Sequence, residues 1–212
     1  MNIKFLSLGS GSSGNCYYLG TDTYSILIDA GVGIRTIKKI FKEYSLSLST
    51  VRAVFITHDH ADHIKAAGHL AGKHNIPIYS TPEVHQGMRR SYCMTEKIDN
   101  AHAKFINKGE TITVEDFEIT CFEVPHDGTD NVGYTIRIDG KTFSFLTDIG
   151  HITETAAAHI VQSNYLVLEA NYDKTMLQIG PYPQYLKERI AGPNGHLCNA
   201  DAAQFLAEYY PQ

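Results

Sequence analysis

The 212-residue sequence lacks several features that define large protein classes. No segment approaches the roughly 18–20 consecutive apolar residues of a membrane span, and the apolar stretch at the start is too short for a signal peptide. The cysteines form no Cys-x-x-Cys pair, which disfavours a disulfide framework or a cysteine-rich structural zinc site. They are Cys16, Cys93, Cys121 and Cys198. We therefore expect free thiols, a cytoplasmic location and no membrane partner.

The sequence also has little net charge and no repetitive segments. The formal net charge of −5 does not favour nucleic-acid binding through overall charge, although a local basic surface is compatible with it. The sequence has no internal repeat and no low-complexity linker. Its 43% hydrophobic and 19% charged residues are typical of a globular protein with a substantial core. We therefore expect residues 1–212 to form one domain.

The most informative segment is Thr-His-Asp-His-Ala-Asp-His at positions 57–63, which holds five potential metal ligands in six positions. The residues before it predict a buried strand and those after it a helix. His58 and His60 leave the strand at alternate positions, so their side chains can bind one ion. Asp62 and His63 lie at the helix start and can turn towards a second ion. Imidazole and carboxylate together suit zinc, manganese or iron.

Two other interpretations of this turn are weaker. A polar surface turn would have to collect three of the eleven histidines beside two aspartates by chance. A structural zinc site would favour a closed, cysteine-rich shell, which this chain does not offer. The turn therefore predicts a catalytic metal site.

Hydrophobic periodicity and turn residues predict an α/β protein. Strands first and then helices, twice over, indicate two packed sheets with helices outside. Asp139-Gly140 predicts a tight hairpin turn, and Thr81 predicts a helix N-cap with proline at the first helical position. Helices are predicted at 33–44, 64–73, 82–90, 152–162 and 200–209, and strands at 2–8, 24–30, 51–57, 76–80, 117–124, 132–138, 141–147 and 165–169.

The motif His-x-His-x-Asp-His resembles that of the metallo-β-lactamase-fold hydrolases, and further motifs follow in that family's order. They are Gly-Ser-Gly-Ser-Ser-Gly-Asn at 9–15, Ile-Leu-Ile-Asp at 26–29, Val-Pro-His at 124–126 and Phe-Ser-Phe-Leu-Thr-Asp at 143–148. The segments 9–15, 168–173 and 195–197 resemble the YycJ/WalJ-like bacterial branch. The resemblance covers essentially the whole chain and implies a four-layer αββα sandwich.

The resemblance also implies roles for two residues that are ambiguous by themselves. A lone His126 on a loop would be a surface residue, but the family pattern makes it the third ligand of the ion held by His58 and His60. Asp148 could cap a helix, but the pattern makes it the carboxylate that bridges two ions ~3.5–4 Å apart. Asp29 is expected to hold the His-rich turn through hydrogen bonds. The remaining histidines are assigned structural or surface roles.

His196 lies in Gly-His-Leu-Cys-Asn, which resembles a Gly-His-Leu-Ser-Asn segment of the branch with Cys198 in place of serine. In related phosphodiesterases such a histidine approaches the scissile phosphate, where imidazole can donate a proton to the leaving oxygen. Two alternatives remain open. His196 is a metal ligand, or it only leads into a helix that Asn199 caps.

The sequence stops before the strand that carries one more metal-binding histidine in the family pattern. The resemblance therefore implies a domain that lacks its last strand or strands. It also implies a second metal site held by Asp62, His63 and Asp148 alone, and weakened as a result.

The resulting functional prediction is hydrolysis by hydroxide formed on two divalent metal ions, which lower the pKa of bound water from ~15.7 towards ~7. Asp62 would orient that water or accept its proton, and His196 would assist the leaving group. Resemblance to nucleases implies a phosphodiester substrate, including nucleic acid. No P-loop lysine follows the Gly-Ser turn at 9–14, no residues are predicted to bind an organic cofactor, and the oligomeric state is left open. The alternatives are thioester or lactone hydrolysis and a non-catalytic, metal-binding regulatory protein.

Overall fold

The computed structural model describes residues 1–209, which divide into two compact units. The first unit comprises residues 1–107, 111–117 and 128–130. The second comprises residues 108–110, 118–127 and the chain from Asn131 onward. None of the helices within the described residues is long and apolar enough to cross a bilayer.

The first unit is built on a mixed sheet whose six strands are hydrogen-bonded in sequence order. The first three strands are antiparallel, and the third to the sixth run parallel. The strands are β1 (Lys4–Gly9), β2 (Cys16–Gly20), β3 (Ser25–Ile28), β4 (Val51–Phe55), β5 (Ile78–Ser80) and β6 (Ala103–Phe105). A further short strand, β7 (Thr111–Val114), completes the strands of this unit.

The helices of the first unit connect the parallel strands and cover the sheet's apolar side chains. They are α1 (Ile34–Glu43), α2 (Ala61–Ile64), α3 (Ala67–His74) and α4 (Pro82–Arg90). The spacing of Ile37 and Phe41 places both on the buried face of α1, where the Phe41 ring meets Tyr18 edge-on at 5.6 Å. Every residue of β2 and β3 is buried. Packing of these strands in the core therefore fixes the position of the polar residues that follow them.

The strands of the second unit are β8 (Phe117–Glu123), β9 (Val132–Ile138), β10 (Lys141–Leu146) and β11 (Tyr165–Leu168). The first three are antiparallel neighbours, and β11 pairs with β10 in parallel. The predicted hairpin turn is confirmed. Asp139 and Gly140 both have positive φ, at 50° and 70°, as a two-residue turn between twisted strands requires.

Helices α5 (Glu154–Val161), α6 (Lys174–Ile179), α7 (Gln184–Ala191) and α8 (Asn199–Tyr209) belong to the second unit. Its apolar core contains Phe122, Leu146, Ile149, Ile160 and Leu197. Leu146 ends β10, and Ile149 and Leu197 lie close to the candidate site residues Asp148 and His196. The core therefore fixes the chain on both sides of that site.

The predicted helix over 64–73 is wrong in its bounds, because the structure has two short helices there. The Ala66 amide donates to the carbonyl oxygen of Ala30, and the Ala30 amide donates to the carbonyl oxygen of His63, both at 2.8 Å. These bonds to the segment after β3 interrupt the helix between α2 and α3. By contrast, α1 and α4 begin within a residue of their predicted positions. The Thr81 hydroxyl accepts from the Val84 amide at 3.3 Å as the predicted cap.

Stability at mildly acidic pH should depend on His159. Its ring stacks on Phe122 with the centroids 3.8 Å apart, and Nδ1 lies 2.8 Å from the Thr135 hydroxyl. Burial first, and then the charge of Arg137, lower the pKa of His159 below its usual 6.5. Folding therefore favours neutral His159. The corresponding stability is fully present above about pH 6.5 and is lost as the pH falls from there through the lower folded-state pKa.

We expect His159→Phe, which keeps an aromatic ring against Phe122, to reduce the loss of unfolding free energy on acidification. Urea unfolding between about pH 7 and pH 5 measures this loss in both proteins. A variant whose stability falls as steeply as that of the wild type would show that other groups cause the acid sensitivity.

Candidate metal centre

The His-rich turn lies between β4 and α2 and gathers its imidazoles closely. His58 Nε2 lies 3.1 Å from His60 Nδ1, and the ring centroids of His58 and His63 are 4.0 Å apart. Asp62 Oδ2 lies 3.7 Å from His63 Nε2. The first unit therefore brings all four of its predicted ligands together. The four side chains meet because His58 and His60 occupy alternate positions on extended backbone, while α2 turns Asp62 and His63 back towards them.

Asp29 fixes the orientation of this turn through hydrogen bonds to its first and last residues, Thr57 and His63. It follows β3, has a φ of 59° and is fully buried. Its carboxylate accepts hydrogen bonds from the Thr57 amide at 2.9 Å, from the Thr57 hydroxyl at 3.0 Å and from His63 Nδ1 at 2.8 Å. These are the hydrogen bonds expected from the sequence. Because a carboxylate only accepts, His63 carries its proton on Nδ1, and Nε2 keeps the lone pair that a metal ion binds.

His58 is oriented in the same way. The single hydroxyl proton of Thr57 goes to Asp29, so the Thr57 oxygen accepts from His58 Nδ1, 3.0 Å away. Nε2 of His58 then bears the lone pair. The side-chain amide nitrogen of Asn15 lies 3.0 Å from His63 Nε2, so a group with positive partial charge faces that ring nitrogen. These lone pairs, together with the Asp62 carboxylate, form a donor set that fits a divalent cation.

The Gly-Ser loop packs against the His-rich turn through main-chain contacts. The backbone amide of Asn15 donates to the carbonyl oxygen of Asp62 at 2.8 Å. A Cβ on Gly31 would lie 1.5 Å from that same oxygen, and a Cβ on Gly14 would lie 2.7 Å from the Gly31 carbonyl oxygen. Only glycine fits these two positions, so the loop and the turn can approach closely enough for the main-chain bond.

His126 follows β8 and is buried, in contrast to an isolated surface histidine. Its Nδ1 donates to the carbonyl oxygen of Gly195 at 2.7 Å, which again leaves the lone pair on Nε2. The Asn131 side chain donates to the His126 carbonyl oxygen at 2.8 Å. The ring centroids of His126 and His196 are 5.0 Å apart. The second unit therefore places His126 near the other predicted residues of that unit.

Asp148 and Glu169 follow two parallel, adjacent strands, β10 and β11, whose last residues Leu146 and Leu168 pair directly. Their carboxylates therefore emerge at the same sheet edge. His196 Nδ1 donates to Glu169 Oε1 at 2.7 Å and lies 3.6 Å from Asp148 Oδ1. Oxygens and a nitrogen from all three residues lie within 4.8 Å of one another, an arrangement that could hold a metal ion.

Glu169 was not identified as a site residue from the sequence. Its second oxygen, Oε2, accepts from the amides of Ile149 at 2.9 Å and Leu197 at 3.1 Å. Burial alone would raise its pKa, but the hydrogen bond and charge of His196 and these amides hold the pKa below its usual value. Burial likewise opposes charge on His196, yet Glu169 and then Asp148 raise the pKa of His196 above its usual value. An imidazolium–carboxylate pair is favoured.

Comparison with known proteins shows the family of the chain. Residues 24–212 match the beta-lactamase superfamily domain. Over 208 residues the chain is 33% identical to Exodeoxyribonuclease YycJ of Bacillus anthracis, covering 98% of this chain and 78% of that protein. The chain belongs to the metallo-β-lactamase-fold hydrolases. Exodeoxyribonuclease WalJ of Streptococcus pneumoniae is 34% identical over 206 residues, 97% of this chain and 76% of WalJ, which supports the YycJ/WalJ-like branch.

A solved structure supports the metallo-β-lactamase fold independently. Human tRNase Z, short form, superposes with a TM-score of 0.69 at 18% identity, covering 96% of this chain and 87% of that one. The predicted α/β fold class is therefore confirmed. The remaining histidines lie outside the two groups of site residues described above. Examples are His69, 2.8 Å from Glu96, and His85, 2.9 Å from the carbonyl oxygen of Lys104.

Proposed function

We propose that this protein is a metal-dependent hydrolase that cleaves phosphodiester bonds in DNA, as an exonuclease. The observation that carries the proposal is the common orientation of three imidazoles. In His58, His63 and His126, Nδ1 donates to a protein oxygen, so Nε2 is the nitrogen presented to a ligand. Metal-binding histidines are characteristically fixed in this way. Two relatives that share about a third of their residues with this chain are named exodeoxyribonucleases.

The donor sets suit two divalent ions, such as zinc, manganese or iron. In this proposal His58, His60 and His126 would hold one ion, and Asp62, His63 and Asp148 would hold the other. Ions bound there would supply a hydroxide nucleophile and would stabilise charge on the phosphoryl oxygens. We also propose that both units work as a single domain, since the family match covers most of each. Free cysteines throughout the described residues suit the cytoplasm.

Two side chains would move the protons. Asp62 lies at the start of α2 with its side chain about a third exposed, so it can orient the attacking water and accept its proton. His196 gives Nδ1–H to Glu169 and can offer a proton from Nε2 to the leaving oxygen. The raised pKa of His196 keeps that proton available near neutral pH. The raised pKa favours the donor role over the alternative of a metal ligand, because a histidine must be neutral to bind a metal ion.

The decisive experiment compares metal-free and metal-loaded protein on two kinds of substrate. After treatment with a chelator, the chain should hydrolyse nothing. Zinc or manganese should restore the release of mononucleotides from single- or double-stranded DNA, while a thioester should stay intact. Elemental analysis should find one firmly bound ion per chain and a second ion that is lost more readily.

Two results would contradict the proposal. Hydrolysis of the thioester but not of DNA by the metal-loaded protein would assign the site to carbonyl substrates. Firmly bound metal without turnover on either substrate would favour the regulatory alternative.

A further inference from the structure

The second unit contains a cleft of about 520 Å³ beside His196, and most of its lining residues have no role in the metal centre. α6 and α7 form two of its walls. Gly150, Tyr172, Asp201 and His196 form the rest. The lining residues of the helices are Lys174, Leu177 and Gln178 on α6 and Gln184, Lys187, Glu188 and Ala191 on α7. Volumes of this size are typical of small-ligand sites.

The helices present these side chains because of their spacing. The four lining residues of α7 follow one another at intervals of three, one and three positions, which places them on one helical face. The Lys187 ammonium donates to the carbonyl oxygen of Gln178 at 2.6 Å and joins α7 to the end of α6. The Asp173 carboxylate caps α6 by accepting from the Met176 amide at 2.8 Å. The cleft walls are therefore held by specific hydrogen bonds.

The charges in the cleft are unequally neutralised. Lys174 forms an ion pair with Asp201 at 2.8 Å, and Glu188 accepts from the Gln184 amide at 2.9 Å. The hydrogen bond of Lys187 goes to a neutral carbonyl, and among the described residues Lys187 forms no ion pair, although the charged Glu188 beside it also lines the cleft. An anion entering the cleft would meet Lys187 together with the donors of Gln178, Gln184 and Tyr172.

We propose that this cleft is a nucleotide subsite, in which Lys187 contacts a backbone phosphate of a single DNA strand that reaches His196. The inference rests on the proposed function, because a strand bound in the cleft touches the residue assigned to the leaving oxygen. Lysine binds phosphate as a point charge without reading the base. The subsite therefore holds the strand irrespective of sequence, while Tyr172 offers an aromatic surface to the neighbouring sugar or base.

The test measures binding apart from hydrolysis. Metal-loaded protein is titrated into a fluorescein-labelled, single-stranded phosphorothioate oligonucleotide that resists cleavage, and anisotropy gives the Kd at several salt concentrations. Lys187→Gln should weaken binding about three- to tenfold for every sequence tried. It should also reduce the slope of log K against log salt by about 0.7, the value for one lost phosphate contact on a single strand.

Three further variants make the result specific. Lys187→Arg retains the charge and should bind like the wild type. Ala191→Phe fills the cleft without changing its charge and should weaken binding. Lys141→Gln removes an exposed lysine from the β9–β10 hairpin and should leave affinity unchanged. Circular dichroism confirms that each variant is folded.

The outcomes separate this inference from the proposed function. If the wild type binds and degrades DNA while Lys187→Gln and Ala191→Phe bind equally well, the subsite is wrong and the nuclease function stands. If Lys141→Gln loses as much affinity as Lys187→Gln, only overall charge matters and the subsite is again wrong. If the metal-loaded wild type neither binds nor cleaves DNA, both proposals fail.

Discussion

Replacing Asp62 by asparagine should lower the rate of DNA hydrolysis by about 10²–10⁴-fold, the contribution usual for a general base. Asparagine has nearly the same shape but cannot accept a proton from water at neutral pH. The Asp62 carboxylate oxygen Oδ2 lies 3.7 Å from His63 Nε2 and 3.5 Å from the side-chain amide nitrogen of Asn15. The negative charge of Asp62 therefore lies beside the proposed metal ligand His63. Steady-state kinetics should show the loss mainly in kcat, and elemental analysis should be run on the same samples.

Asp59→Asn is the matched control, because Asp59 lies in the same turn but is engaged elsewhere. Its carboxylate accepts from the Thr129 amide at 2.9 Å and from the Thr129 hydroxyl at 2.6 Å. We expect that variant to retain most activity. If Asp62→Asn kept a near-normal rate with normal metal content, Asp62 could not be the base. If it lost metal and activity in parallel, its role would be that of a ligand alone.

Replacing Asp29 by alanine should both destabilise the protein and weaken metal binding. The change leaves the Thr57 amide and His63 Nδ1 without their buried acceptor, and each buried unsatisfied donor costs about 1–3 kcal/mol. Alanine must also adopt the positive φ of Asp29, which an aspartate tolerates better. We expect the free energy of unfolding of the metal-free protein to fall by about 3 kcal/mol or more. Metal affinity should fall about 10–100-fold, as for other lost partners of ligating histidines.

Urea unfolding and metal titration measure these two effects separately. Asp99→Ala serves as the control, because Asp99 also contacts a histidine, His102, at 2.6 Å but is exposed. It should change neither quantity appreciably. Wild-type stability in Asp29→Ala would mean that other groups support the His-rich turn. Reduced stability with unchanged metal affinity would mean that the orientation of His63 does not matter to the ion.

The His-rich turn could be predicted from the sequence because its information is local. Alternation on extended backbone and the following helical turn place His58, His60, Asp62 and His63 by chain geometry alone. Asp29 could be placed through its motif, although its three hydrogen bonds depend on the parallel pairing of β3 and β4. That pairing joins segments separated by α1.

Glu169 was missed for a related reason. Its significance arises from β11 pairing in parallel with β10, which brings Glu169 and Asp148 to one edge, and single-sequence periodicity does not report strand pairing. An acidic residue at the end of each of two apolar strands was the available signal. Helices α6 and α7 were missed as well. They are short and largely exposed, so no apolar stripe revealed them.

The main-chain bonds around the His-rich turn bear on how metal preference can diverge among related proteins. The backbone amides of Asn15 and Ala30 donate to the carbonyl oxygens of Asp62 and His63 in this turn, and these main-chain groups are the same whatever side chains the turn carries. The backbone path of the turn therefore depends little on which metal-binding side chains it carries. A mutation that exchanges one coordinating side chain for another can alter the preferred ion without redirecting the chain, whereas the glycine at position 31 has no permissible substitute.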